Sequence, residues 1–425
     1  MSIQVHFNEV ELSVLSISRT KLWIFANSIL HLLYDSIDEH PFQENDVDED
    51  ASVVAHDSRQ GRGKRKDGAK SGHSSDNEES EITRVDNSSK SLYSDFNSLQ
   101  LQESSANANA NVSANVNASA NANANDTEDN NFMHIAISPC ECTIICSTWL
   151  IEKFFKEPLA ICQRLEYDDV HLLPDHYLSL IVDSDGGCDK SLRILELTKP
   201  LSENGISIFY ISSHFNDIVL IPFDSKQAVM DVLTTKNFEF SEISNSFISN
   251  HRALDPGVVD DLSQVSPIYE KTFEIFAAAD IHPEINEKHE LLLTGSRPGD
   301  VKSTTLKAIK LLSLATTTQP TYFVLTRTFS NELSIIIPES QKFRLKYGFD
   351  STSLIGSTQD IIVPVTMDFS NLPLNCTGIV AGLANMLITK GGNLIEIGYL
   401  SMAKSGVIMI PQENLESVKD IMRNI

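Results

Sequence analysis

Along the chain, apolar and polar positions change period in a fixed order, and that order recurs. VELSVLSISR (10–19) alternates like a half-buried strand, and LWIFANSILHLLY (22–34) follows with helical spacing. Much further on, FMHIAIS (132–138) and ECTIICS (141–147) read as a tight hairpin, and WLIEKFFK (149–156) as a second helix. Joined across the gap, these pieces give strand, helix, strand, strand, helix.

The same order returns three times. One copy has HYLSLIVD (176–183), a helix through LRILELTKPL (192–201), the strands ISIFYIS and DIVLIPF, and the helix KQAVMDVL (226–233). The next has HELLLTG (289–295), a helix over 301–314, TYFVLTRTF, ELSIIIP and a short polar helix. The last has DIIVPVTMDF (360–369), GIVAGLANMLI (378–388), NLIEIGYLS, GVIMIP and NLESVKDIM (414–422). Three hairpins end in Ile-Pro, at Pro222, Pro338 and Pro411, where the missing N–H stops a ladder before a helix. The second and fourth copies superimpose at an offset of 189, without gaps, placing Tyr210 on Tyr399, Ser212 on Ser401 and Asp217 on Gly406. Helices on one face of small antiparallel sheets predict an α+β fold.

Composition separates the rest. From 39 to 131 the chain turns polar and repetitive, running through DVDED (46–50), GRGKRK (61–66), SSDNEESE (74–81) and an Asn/Ala repeat. Such a segment buries too little apolar surface to offset its ordering entropy, so it reads as a disordered insertion in the first module. Loop closure costs rise slowly with length, so the insertion is tolerated if its ends lie close together. It holds 18 acids and 8 bases of a chain whose net charge is -25. That charge argues against a nucleic-acid surface and disfavours an anionic membrane face. The predicted organisation is a first module at 1–38 and 132–160, the insertion at 39–131, a second module at 166–240 and a linker at 241–288. A third module at 289–350 and a fourth at 358–425 complete it. The linker contains one helical run, PIYEKTFEIFAAA (267–279).

Few catalytic or metal motifs survive inspection. Cys140, Cys142 and Cys146 lack the second cluster a zinc site needs. The run Asp183-Ser184-Asp185-Gly186 starts like a calcium loop but has Ile194 at its twelfth position. Ser401 and Lys404 form an S-x-x-K string in a hairpin turn, where acylating chemistry needs a helix start. Neither a Walker loop nor a dinucleotide fingerprint is present, so no cofactor is expected. His171 and His176 lack the glutamate of a metalloprotease helix. Six cysteines without a disulfide framework, and no signal-peptide core or membrane-length apolar run, point to a cytoplasmic protein without membrane insertion.

The repeated unit resembles the ACT-domain pattern, here as four tandem ACT-like βαββα modules with ferredoxin-like sheets. Four segments carry a closer resemblance: LSVLSISRTKLWIFANSILHLLY, NGISIFYISSHFNDIVLI (204–221), TGIVAGLANMLI (377–388) and YLSMAKSGVIMIPQENLESVKDI (399–421). They are similar to the CASTOR family of cytosolic arginine sensors. The resemblance implies a non-enzymatic sensor whose second and fourth modules pair around a free amino acid. The matching positions are Ser207 and Ile208 on one side, and Cys376, Thr377, Gly378 and Ile379 on the other, with Gly406 in the last hairpin. A helix start with unpaired N–H groups suits a carboxylate, and Gly378 lets a ligand approach the backbone. Gly406 and Cys376 stand where the arginine sensors place acids, which disfavours arginine and leaves open a smaller or neutral amino acid, or none; Glu396 is a local acid that could substitute. The resemblance also implies a GATOR/SEA-type partner complex upstream of the TOR kinase, met by the turn carrying Phe215, Asn216 and Asp217, and a possible homodimer. The alternatives are a ligand-free ACT scaffold and a regulatory subunit of an amino-acid metabolic enzyme.

Overall fold

The first module begins with a long strand β1 (Ile3–Ser18) and helix α1 (Leu22–Asp35). After the insertion come β2 (Met133–Ile137), β3 (Glu141–Ser147), α2 (Thr148–Arg164) and the short β4 (Val170–Leu172). The second module contains β5 (Tyr177–Asp183), α3 (Lys190–Glu203), β6 (Phe209–Ser212), β7 (Asn216–Pro222), α4 (Lys226–Thr235) and β8 (Phe238–Phe240). Helix α5 (Pro267–Ala278) and β9 (Glu284–Ile285) lie between the halves. The third module has β10 (Leu291–Ser296), α6 (Val301–Leu312), β11 (Phe323–Arg327), β12 (Leu333–Pro338), α7 (Gln341–Tyr347) and β13 (Leu354–Ile355). The fourth has β14 (Ile361–Asp368), α8 (Ile379–Gly391), β15 (Gly398–Ser401), β16 (Ser405–Pro411) and α9 (Leu415–Met422).

This computed structural model describes residues 3–37, 132–183, 190–236, 238–240, 267–373, 375–391 and 395–423. The chain divides into Met1–Pro41 with Ala124–Ile425, and Phe42–Asn123, and all described residues belong to the first unit. The insertion, Cys188 and most of the calcium-like string lie outside the described residues.

The predicted order of elements is present in all four modules, and the three Ile-Pro prolines are each the last residue of a strand. The expectation of separate ferredoxin-like sheets is corrected. In every module the first strand pairs with the second hairpin strand, and the modules then join edge to edge. First strands meet at β1–β5 and β10–β14, while inner hairpin strands meet at β2–β11 and β6–β15. All four joins are antiparallel, and together they close a ring of twelve strands. Closure removes the open edges that a three-stranded sheet would leave unpaired.

The ring explains why the strands read as nearly continuous apolar runs. Both faces are buried. On β7, Val219 and Ile221 face a core shared by the helices of the second and fourth modules, while Ile218 and Leu220 face inward. On β16, Ile408 and Ile410 take the first role, and Val407 and Met409 the second. The first and third modules share the equivalent helical core. The inner faces of all four modules contribute to one further core.

Two acids lock the halves. Glu141 of β3 is 5% exposed. It accepts from Ser405 Oγ at 2.6 Å and Lys404 N at 3.2 Å, in the last hairpin. Thr143 Oγ1 accepts from Ala403 N at 3.0 Å. The third module repeats this toward the second. Glu332 accepts from Asn216 Nδ2 at 3.1 Å, and Ser334 Oγ from His214 N at 2.9 Å.

This reciprocity corrects the expected partner surface. Asn216 and Asp217 are 7% and 4% exposed, inside β7: Asn216 meets Glu332 of the third module, and Asp217 meets Arg193 of α3. A Cβ on Gly295 would stand 2.5 Å from Phe215 Cζ, so that glycine admits the ring. The insertion's described flanks also converge. The Arg327 guanidinium donates to the Ser36 carbonyl, and Arg327 pairs with Met133 across β11–β2.

Candidate functional site

The seam between the second and fourth modules is held by few backbone bonds. Ile211 and Leu400 are the paired residues of the β6–β15 join. Serines complete it: Tyr210 N donates to Ser401 Oγ at 2.8 Å, and Tyr399 N to Ser212 Oγ at 3.1 Å. These four residues are equivalent by the internal duplication, so the seam is a local twofold. Helices α3 and α8 pack together above it.

The gapless superposition of the two modules is corrected by strand register. Val182 lies opposite Asp217, and Met367 opposite Gly406. The first strands therefore correspond at an offset of 185, while the helices and hairpins keep 189. The connection from β14 to α8 is thus four residues longer than its counterpart from β5 to α3. Those extra residues belong to the loop 369–378, which closes over the seam.

A cavity of about 100 Å³ lies beneath this loop. Ser207, Ile208, Cys376, Thr377, Gly378 and Ile379 all line it, so the structure brings these six sequence-selected positions together. Gly406 does not line it. Its missing Cβ leaves room for the Tyr399 hydroxyl and for Phe369 Cε2, which would stand 2.7 Å from such a Cβ. Glu396 is exposed and also absent from the lining. Lining residues that sequence reasoning missed include Thr198, Phe369, Tyr399, Met402 and Ala403. The signal for Tyr399 was its alignment with Tyr210; the signal for the loop was the length difference hidden by an assumed gapless match.

The loop is anchored by the linker helix. Gly378 has φ +91°, a left-handed conformation that favours glycine, and its carbonyl accepts from Gly382 N at 2.7 Å. Thr272 Oγ1 of α5 donates to the same carbonyl at 3.1 Å. Thr272 also fills the place of a Cβ on Gly382, with its own Cβ 2.6 Å from that point. Helix α5 therefore sets the position of the α8 start, whose first N–H groups have no intrahelical acceptor.

No charged side chain lines the cavity. Its rim, 376–379, is half-buried, whereas Tyr399, Ser401, Met402 and Ser405 at its inner end are buried. Burial pushes the Tyr399 phenol and the Cys376 thiol up, so both are neutral hydrogen-bonding groups at pH 7. The equivalent part of the second module is different. There Arg193 donates to Asp217 Oδ2 from Nε at 2.8 Å and Nη2 at 2.5 Å. Their equivalents in the fourth module are Gly382 and Gly406, so the ion pair has been replaced by two glycines.

A larger groove of about 510 Å³ runs along the third module, lined by Lys288, Lys342, Lys346 and Tyr322 among others. It is more open and lies away from the duplicated seam. Among the described residues no group of three His, Cys, Asp or Glu could hold a metal. Cys142 and Cys146 are core residues, with the Cys142 thiol pushed up to about 12 by burial. Among the described residues no helix is long and apolar enough to cross a membrane.

The ACT domain family model matches residues 172–235 and 357–424, the second and fourth modules that enclose the cavity. A comparison with curated proteins finds no match. Among solved structures, the chain is similar to an aspartate kinase from Synechocystis, with 8% identity and a TM-score of 0.27 over 99% of this chain and 56% of that one. It spans just over half of that kinase's length. A second similar structure is protein Atu0741 from Agrobacterium tumefaciens, with 17% identity and a TM-score of 0.20, covering 29% of this chain and 92% of that one.

Proposed function

We propose that this chain is a non-catalytic amino-acid sensor, holding a small, uncharged amino acid between its second and fourth modules. The carrying observation is the uncharged cavity at the seam of the two ACT-matched modules, with a helix start at its rim. Unpaired N–H groups at the start of α8 suit the ligand's carboxylate, and the left-handed Gly378 allows close approach. Arginine is disfavoured on physical grounds. A guanidinium brought into a cavity without a carboxylate would be left unpaired. The family resemblance supports a role in TOR-pathway nutrient signalling through a GATOR/SEA-type complex. With Asn216 and Asp217 buried, that role has to use other surface.

Ligand and partner would then affect each other reciprocally. The test is thermal unfolding of the full chain against each free amino acid. A ligand that binds only the native state raises the midpoint by mass action. The expected result is a selective rise that disappears in Gly378→Trp. An unchanged midpoint with every amino acid at millimolar concentration refutes the sensor and leaves an ACT scaffold.

A further inference from the structure

If the cavity is an amino-acid site, as proposed above, its ligand chemistry turns on the hydroxyl of one tyrosine. Tyr399 lines the cavity and is 2% exposed. Its backbone is fixed by the bond to Ser212, and its ring lies over Gly406. Among the described residues its hydroxyl meets no hydrogen-bond partner, and burial alone accounts for the shift in its acidity. Buried tyrosine hydroxyls nearly always find a partner, because an unmade bond costs the full desolvation of the group.

The duplicate differs in its charges. Tyr210 holds the equivalent place, fully buried and beside the Arg193–Asp217 pair, with its hydroxyl hydrogen-bonded to no group. In the fourth module both charges are absent. Thr272 fills the space at Gly382, and the Tyr399 hydroxyl itself occupies the space at Gly406. The Tyr399 side chain lines the cavity, and neither charge of the second module is present there to meet its hydroxyl.

Nearby groups narrow the chemistry further. Ser401 Oγ already accepts from Tyr210 N, which leaves its own proton to donate. Ser405 Oγ is committed as a donor to Glu141. The inner end thus offers neutral hydroxyls and the apolar surfaces of Phe369 and Met402, with no counter-charge.

We propose that the Tyr399 hydroxyl is the group that reads the ligand's side chain, and that the ligand is a small amino acid carrying a hydroxyl or carboxamide. Its carboxylate sits at the half-buried rim beside the α8 start, and its side chain points to the buried end. The volume sets the size. An apolar cavity of about 150 Å³ accepts benzene, so a space of this order takes side chains of the serine, threonine or asparagine class.

The experiment is titration calorimetry of the full chain and of Tyr399→Phe with serine, threonine, asparagine and alanine, with a melting curve of each protein alone. The wild-type chain is expected to bind one of the three polar amino acids roughly tenfold or more tighter than alanine. Tyr399→Phe is expected to abolish that preference while leaving alanine binding unchanged. Without ligand the variant is expected to melt at the same temperature or higher, since no protein partner is lost. A melting point several degrees lower would show that the hydroxyl is satisfied within the protein and would overturn the inference. Alanine bound as tightly as the polar three by the wild-type chain overturns it too, while leaving the amino-acid site in place. Binding of none of the four, with a positive result for another amino acid, overturns the inference alone; no binding of any amino acid removes both readings.

Discussion

Breaking the Arg193–Asp217 pair is expected to be among the most destabilising single changes in the second module. The two side chains are 7% and 5% exposed, and two guanidinium nitrogens donate to one carboxylate oxygen. Removing either partner takes a two-donor, charge-assisted contact from the other in a place that is almost closed to water. Losses of about 3–5 kcal/mol follow from such deletions, a factor on the order of hundreds to thousands in the folding equilibrium. Asp217→Ala and Arg193→Met are each expected to fall in that range. The double variant Arg193→Met with Asp217→Leu is expected to recover most of the loss, because no charge then remains to be desolvated. The fourth module supplies a natural precedent, having glycines at both positions and neutral side chains in the space. The assay is urea unfolding followed by far-ultraviolet circular dichroism. Fluorescence is a poor choice, since Trp23 and Trp149 both sit on the first module and are 63% and 47% exposed. Single variants that each cost less than about 1 kcal/mol, or a double variant that costs the sum of the two, would refute the reasoning.

Two further predictions concern titrating groups. Glu141→Ala leaves Ser405, Lys404 N and two further hydroxyls without their acceptor, and is expected to cost about 2–4 kcal/mol, with Glu141→Gln costing much less. Burial raises the Glu141 pKa above 4.5, so the folded state takes up a proton first and this group adds stability as pH falls from above its folded pKa toward 4.5; an unchanged pH slope in Glu141→Gln would contradict this. His134 acts in the opposite sense. Burial holds it neutral with a pKa of about 3 against 6.5, so stability is expected to fall as pH drops through that window, by up to about 1.4 kcal/mol per pH unit. Chemical denaturation between about pH 7 and pH 4 checks it, and His134→Gln, which can still bond Thr326, should flatten the slope.

What the sequence determined by itself is local and periodic. Alternation and helical spacing placed the strands and helices of every module, because those periods depend only on which side chains must face a core. The Ile-Pro strand ends were equally legible, since a missing N–H acts where it stands. The duplication of the second and fourth modules showed through identical residues at Tyr210 and Tyr399. Six cavity-lining positions were reached through family resemblance, not through any local pattern.

Only the tertiary structure decided the rest. Edge-to-edge closure of four small sheets into one ring depends on pairings between strands far apart in the chain, and no single strand's pattern encodes its outer neighbour. Tertiary contacts with Glu332 and Arg193 buried Asn216 and Asp217, which the family resemblance had placed in a partner-facing turn. Nothing in the strand ECTIICS singles out Glu141, because its donors come from the last hairpin, far along the chain. Gly406 was read as a cavity position lacking an acid, whereas packing turned it into the space that admits the Tyr399 hydroxyl. The four extra residues before α8 were invisible because an aligned duplication hides a length change inside a loop, and strand register is set by hydrogen bonds between chains of residues, not by residue identity.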